Sequence, residues 1–196
     1  MKILYLKSNN QESERLGKFL LNDNNEVVSC AEKIYPDFVL RVKPDIIISY
    51  NYRFILKKDV FEIPKLGTIN LHVSYLPWNR GADPNFWSHV EDTPKGVTIH
   101  YIDEGVDTGD IISQKLVDFS GDDTLSSSYA KLHKEIQSLF FSVWPLIKSG
   151  KAPKTKQSGD GTFHLKKDRE EYEFLLKTKG WDTLIAELQK LHMDHR

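Results

Sequence analysis

The run Ile46-Ile47-Ile48, entered through Pro44-Asp45, constrains the fold more than any other segment. Consecutive β-branched residues of this kind are typical of a buried parallel strand, covered on both faces. The residues before it fit such a sheet. Residues 3–6 form a short apolar run closed by Ser8-Asn9-Asn10. Arg15, Leu16, Phe19 and Leu20 then fall at helical spacing until Asn22-Asp23-Asn24-Asn25 stops them. Residues 26–30 read as a second strand and 35–42 as a second helix. This strand–helix–strand–helix–strand rhythm predicts an α/β fold, a doubly wound sheet that is mostly parallel with flanking helices.

Further strands are expected at 67–73, 97–102 and 111–117, with a short helix at 86–90. Asp122-Asp123-Thr124 offers helix N-cap chemistry. Leu125, Tyr129, Leu132, Ile136, Leu139, Phe140 and Val143 follow at spacings of three and four. They predict one long amphipathic helix, which Pro145 is expected to kink or end. Gly150 and Pro153 mark its close, giving a domain over 1–150 and a short helical extension over 151–196. The extension should hold helices near 168–177 and 181–191. The second of these aligns Leu184, Ile185, Leu188 and Leu191 for packing on the domain or on the partner subunit of a homodimer.

Charge and cysteine usage narrow the class. With 27 basic and 28 acidic residues the chain has no electrostatic footprint for nucleic acid. Cys30 is the single cysteine, so no internal disulfide forms, and its apolar context predicts burial. No apolar run approaches the roughly 20 residues that cross a bilayer, and the first residues turn polar too soon for a signal peptide. The expectation is a soluble cytoplasmic protein without a membrane segment.

Chemistry concentrates between Asn70 and Asp110. Asn70 and His72 are two apart, so on a strand they share a face, near the carboxyl end where open α/β sheets bind ligands. Asp107 lies between Gly105 and Gly109, which permit a tight loop and close approach of a ligand to backbone. Acyl transfer to an amine needs donors for an oxyanion and groups that accept and return protons. An amide, an imidazole and a carboxylate supply them. On residue types alone other readings stay open. Asn-x-His is common, and an Asp among glycines is usually a turn residue. A metal site from His72, His100 and Asp107 lacks the close spacing of familiar metal motifs. No Gly-x-Gly-x-x-Gly or phosphate loop is present.

The ordered set Asn70-Leu-His72, Ser74-Tyr-Leu-Pro77, Arg80-Gly81, Pro84, Trp87, Gly96-Val-Thr-Ile-His100 and Asp107-Thr-Gly109-Asp110 resembles the formyltransferase family that uses 10-formyl-tetrahydrofolate. The resemblance covers roughly residues 45–150 and implies a Rossmann-like formyltransferase domain. It implies Asn70, His72 and Asp107 as the catalytic trio, with no metal. The segment 49–56 would lie against the pterin, through Tyr52, Arg53, Phe54, Ile55 and Leu56. The loop over 102–109, with Ile102, Asp103 and Gly105, would close the pocket's other side. Ser74, Trp78, Arg80 and Gly81 would face the acceptor, with His100 beside the site and Trp87 in the core. His89 and His133 are expected on helix surfaces.

The acceptor follows from smaller features. After the first strand the chain reads Lys7-Ser-Asn-Asn-Gln-Glu-Ser-Glu, a poor match to the glycine-rich phosphate loop of glycinamide ribonucleotide enzymes. A methionyl-tRNA enzyme should carry a further barrel domain and a basic surface, for which residues 151–196 leave no room. Arg80-Gly-Ala-Asp-Pro-Asn-Phe-Trp87 and Gly161-Thr-Phe-His164-Leu-Lys-Lys-Asp168 resemble nucleotide-sugar N-formyltransferases. The expected acceptor is therefore the amine of a nucleotide-linked amino sugar, with glycinamide ribonucleotide or another small amine as the alternative. A non-catalytic folate or nucleotide sensor, and a hydrolase releasing formate to water, are the readings from other classes.

Overall fold

The computed structural model describes residues 1–194; residues 195 and 196 at the end of the expected extension lie outside the described residues. The chain runs β1 (Lys2–Lys7), α1 (Gln11–Asn22), β2 (Glu26–Cys30), α2 (Pro36–Val42), β3 (Ile46–Tyr50), α3 (Lys58–Phe61) and β4 (Thr68–His72). It continues through β5 (Arg80–Gly81), α4 (Pro84–Val90), β6 (Gly96–Tyr101), β7 (Ile111–Leu116) and α5 (Leu125–Lys148). After β8 (Phe163–His164), 3-10 turns at Lys166–Leu176 and Gly180–Asp182 lead to α6 (Ile185–Met193). Six strands form one sheet in the order β2-β1-β3-β4-β6-β7, and β5 pairs with β8 apart from it. β1 to β4 are parallel; β6 is antiparallel to β4, and β7 to β6.

The side-chain alternation of a strand divides the core between the two faces of this sheet. Ile3, Tyr5, Ile46, Ile48, Ile69 and Leu71 pack with Leu16 and Leu20 of α1 and Leu132, Ile136 and Phe140 of α5. Leu4, Leu6 and Ile47 turn the other way, onto Val39 of α2 and Val60 and Phe61 of α3. Ile46, Ile47 and Ile48 are all fully buried, as a doubly covered strand requires. Phe140 is also fully buried at the centre of the larger face. Phe140→Ala should cost about 3–5 kcal/mol of stability through lost burial and a residual cavity, measured by urea unfolding.

Local chemistry sets the helix ends. The Asn10 side chain accepts the Ser13 N–H at 2.9 Å and caps α1. Pro36 opens α2, and Lys43 closes it in the left-handed region. At α5, Thr124 and Ser127 form a reciprocal capping box. α5 passes through Pro145 to Lys148 instead of ending there. Pro145 sits in the last turn, where one lost backbone bond is outweighed by the burial of Trp144 and Ile147 on either side. Cys30 is half-buried, at the exposed edge strand β2.

The C-terminal stretch is woven into the rest. Phe86, Trp87 and Val90 of α4 pack with Leu125, Leu175 and Leu188 in a third cluster. Ile185 and Leu188, from the face expected to pack on the domain or on a partner subunit, are buried within this chain. The Ile185 N–H donates to the Asp123 carbonyl at 2.8 Å, tying α6 to the start of α5. Among the described residues, no helix is long and apolar enough to cross a membrane.

Candidate active site

A cleft of about 710 Å³ opens at the carboxyl ends of β3 and β4, where a parallel α/β sheet presents its ligand crevice. Asn70 and His72 reach it from β4, and His100 from β6, because the register sets Asn70 directly opposite His100. Asp107 arrives from the loop between β6 and β7. The four groups converge. The Asn70 amide Nδ2 donates to Asp107 Oδ1 at 3.3 Å and lies 3.4 Å from His100 Nε2. His100 Nε2 is 3.4 Å from Asp107 Oδ1, and His72 Nδ1 is 3.7 Å from Asp107 Oδ2. The Gly81 backbone N–H donates to Asp107 Oδ2 at 3.0 Å.

Each histidine has its outer nitrogen engaged by a backbone carbonyl, which can only accept. His72 Nε2 meets the Asn79 carbonyl at 3.1 Å, and His100 Nδ1 meets that of Tyr101 at 2.8 Å. Those nitrogens therefore carry N–H, and a neutral ring turns its lone pair toward Asp107. A proton arriving at either ring settles on the inner nitrogen, beside the carboxylate. Burial alone would raise the Asp107 carboxyl. The imidazolium forms of His72 and His100, with the Gly81 N–H, outweigh it and hold the group well below the usual carboxylate range. The charge at the centre of the cluster is thus fixed, with His72 Nδ1 within ion-pair range of Asp107 Oδ2 at 3.7 Å.

The Asp107 loop is bent tightly. Asp107 has φ 54°, in the left-handed region that an Asp tolerates and most residues avoid. A Cβ on Gly109 would collide with the Tyr101 carbonyl oxygen, so the glycine serves the packing of the loop onto β6. Asp103 stiffens the other limb: its Oδ1 accepts from the Gly105 N–H at 3.1 Å and from Thr108 Oγ1 at 2.6 Å.

On one wall of the cleft lie Tyr52, Arg53, Phe54, Ile55 and Leu56, and Ile102, Asp103 and Gly105 also line it. Tyr52 is anchored by donating to the Glu32 carbonyl at 2.6 Å, and its ring meets Phe54 edge-on at 5.3 Å. Ile55 is 79% exposed and Leu56 is buried. Asn51 adds a donor, since its Nδ2 is buried with no hydrogen-bond partner. A buried unpartnered amide in a cleft marks a place where a ligand acceptor would be satisfied.

The four residues expected toward the acceptor divide. Gly81 lines the cleft; Ser74, Trp78 and Arg80 are not among its lining residues. Ser74 is buried in a turn, donating to the Trp78 carbonyl at 2.8 Å. Arg80 turns its guanidinium to Gln157 Oε1, at 3.1 Å from Nε and 2.7 Å from Nη2. Asn85 of the same motif ties α4 to α5 through the Leu125 carbonyl and Ser128 Oγ, both at 3.0 Å. Trp87 is buried and stacks on His164, with centroids 4.0 Å apart and planes 7° apart. Phe163, His164, Leu165, Lys166 and Trp181 also line the cleft. Phe163 to Lys166 fall in the motif run 161–168 of the sequence, but their place at the cleft is not legible there, because the two-residue pairing of β5 with β8 that brings the segment to the cleft has no periodic signature. His89 and His133, expected on helix surfaces, are buried instead. α4 buries every residue from Asn85 to Val90, so it has no polar face for His89 to occupy. His133 turns inward to Tyr50.

Residues 11–144 match the formyl transferase family model. The formyltransferase PseJ from Anoxybacillus kamchatkensis, solved with UDP-4,6-dideoxy-4-formamido-L-AltNAc and tetrahydrofolate, superposes with a TM-score of 0.89 at 46% identity, over 96% of this chain and 97% of that one. The methionyl-tRNA formyltransferase of Agathobacter rectalis is 33% identical over 156 residues, which are 79% of this chain and 49% of that protein. That of Clostridioides difficile (strain 630) is 36% identical over 146 residues, 72% of this chain and 47% of that protein. The chain thus spans about half the length of the curated relatives it matches.

Proposed function

The chain belongs to the formyl transferase family, and from that premise we propose that it moves a formyl group from 10-formyl-tetrahydrofolate to the amine of a nucleotide-linked amino sugar. The observation that carries the reading is the convergence of Asn70, His72 and His100 on one ionised carboxylate, Asp107, inside a cleft that is also lined by residues 51–56 and 163–166.

The folate donor fits the lining residues 51–56. Phe54, Ile55 and Leu56 offer apolar surface to a flat ring, and the unpartnered Asn51 Nδ2 offers a donor for its polar edge. Bound there, the donor supplies the formyl carbon. The acceptor fits the lining residues from β8 onward, where Phe163 is 49% and Trp181 39% exposed and Lys166 also lines the cleft. Exposed aromatic faces suit a nucleobase, and a lysine suits phosphate. PseJ adds support: of the relatives compared above it has the highest identity and matches over nearly the whole of both chains.

In this mechanism the Asn70 amide turns its N–H groups to the negative charge that builds on the formyl oxygen. His72 takes the amine's proton at Nδ1, its only free nitrogen, and later returns it to the leaving nitrogen. Asp107 stabilises the resulting imidazolium. A carboxylate held so far below its ordinary range does not keep a proton, so it orients and neutralises. His100, nearly fully buried and bonded to the Tyr101 carbonyl, fixes the far side of Asp107.

The test is turnover of 10-formyl-tetrahydrofolate with a panel of nucleotide-linked amino sugars, glycinamide ribonucleotide and methionyl-tRNA. Tetrahydrofolate should form with an amino sugar and not without an amine. Transfer to methionyl-tRNA alone would sink the acceptor assignment, and release of formate without any amine would make the protein a hydrolase.

A further inference from the structure

Gln157 lies in the polar connection after α5, outside the 11–144 span of the family match and far in sequence from the cluster. Its carboxamide is nevertheless fully engaged at the Asp107 loop. Nε2 donates to the carbonyls of Asp107, at 2.8 Å, and Gly109, at 2.9 Å. Oε1 accepts from Arg80 Nε and Nη2, at 3.1 and 2.7 Å. Only this orientation of the amide satisfies all four contacts, since carbonyls cannot donate and a guanidinium cannot accept.

The contacts close a ring around Asp107. Arg80 precedes Gly81, whose N–H holds the Asp107 carboxylate. Gln157 holds the same residue by its backbone, and Arg80 holds Gln157. The neighbouring strand geometry keeps Gln157 in place: Thr155 and Ile111 exchange backbone bonds at 2.7 and 3.0 Å, and Lys156 pairs with Asp110 at 2.9 Å. A left-handed Asp needs such over-determination to persist.

We propose that Gln157, braced by Arg80, is a positioning residue that holds the Asp107 backbone in its left-handed conformer and so aims the carboxylate at His72; its turnover readout rests on the formyl-transfer reading above. Arg80 then acts on the site through Gln157 and not as a substrate ligand.

Three variants of the full chain test this: Gln157→Ala, Gln157→Glu and Arg80→Ala. Gln157→Glu keeps an oxygen for Arg80 but loses the donor and sets a carboxylate against two carbonyls. Both Gln157 variants should lose about tenfold or more in kcat while KM for donor and acceptor stays within about threefold, because misaimed groups harm the reaction more than binding. Arg80→Ala should behave likewise, and the Arg80→Ala/Gln157→Ala double variant should be no worse than the poorer single, as expected of residues acting through one another. Amide hydrogen exchange across 105–110 should rise in each variant, a readout that needs no turnover. A wild-type kcat and unchanged loop exchange in Gln157→Glu would overturn the proposal. So would additive losses, or an acceptor KM raised by Arg80→Ala with kcat intact. A wild-type protein with no turnover on any acceptor would instead sink the proposed function, leaving loop exchange to judge Gln157.

Discussion

His72→Ala should lose at least a hundredfold in turnover and keep its fold. The ring has one free nitrogen, Nδ1, and it faces Asp107. Removing it takes away both the group that accepts the amine's proton and the cation that the carboxylate stabilises. General acid–base groups contribute roughly 10²–10⁴-fold, and a hundredfold loss is about 2.7 kcal/mol of transition-state stabilisation. Asn70→Ala should cost a comparable factor, the usual result of deleting an oxyanion donor. Asp107→Asn is the sharper probe. It keeps shape and can still accept the Gly81 N–H, but it removes the charge around which the histidines are set. Its kcat should fall at least as far as that of His72→Ala, with KM for the folate within a few-fold, measured by steady-state kinetics beside a circular-dichroism melt. Near-normal turnover in His72→Ala or Asp107→Asn would remove the assignment of the trio.

Much of this arrangement was legible before any coordinates, and the division follows from physics. β-branched runs and helical spacing report a residue's immediate burial, so β1 to β4 with α1 and α2 could be read, while the four-residue α3 is too short to show a period. Asn70 and His72 share a face because strands alternate, and that rule is local. The contacts that support Asp107 are not local. Arg80 and Gln157 are 77 positions apart, and nothing in either neighbourhood encodes their pairing. Arg80 therefore reads as a free cation near an acceptor, when its charge is spent on an amide. The histidines of α4 and α5 show the second limit. A polar residue in an amphipathic pattern is assigned to solvent, but α4 lies between α5 and α6 with nearly every side chain covered. Tyr50 and His133, 83 positions apart, satisfy each other in part across the core.

Those two buried histidines carry the other large expected effect. The protein should lose several kcal/mol of stability as pH falls from about 6.5 to about 4. His89 is fully buried, both its ring nitrogens lack partners, and its ring meets Phe119 edge-on at 5.2 Å. Burial, aided by nearby Lys95, pushes its pKa down to about 4. His133 Nδ1 faces the Tyr50 hydroxyl at 2.5 Å, its Nε2 has no partner, and burial pushes its pKa down to about 4 as well. The Tyr50 hydroxyl, whose own pKa burial pushes up, stays protonated and donates to His133. Both histidines are then neutral in the fold and ordinary in the unfolded chain. Between the two pKa values the unfolded chain binds more protons, so stability rises with pH there and falls as acid is added. A shift from 6.5 to about 4 is worth at most about 3 kcal/mol for each histidine. Nearly all of that is present above pH 6.5 and lost by pH 4. Urea unfolding at half-unit steps from pH 7 to 4 should trace the decline. His89→Leu discards no hydrogen bond, so it should fold at neutral pH and lose roughly half of the slope. A stability that stays flat to pH 4.5, or an unchanged slope in His89→Leu, would mean that these rings reach water or a counter-charge when they protonate.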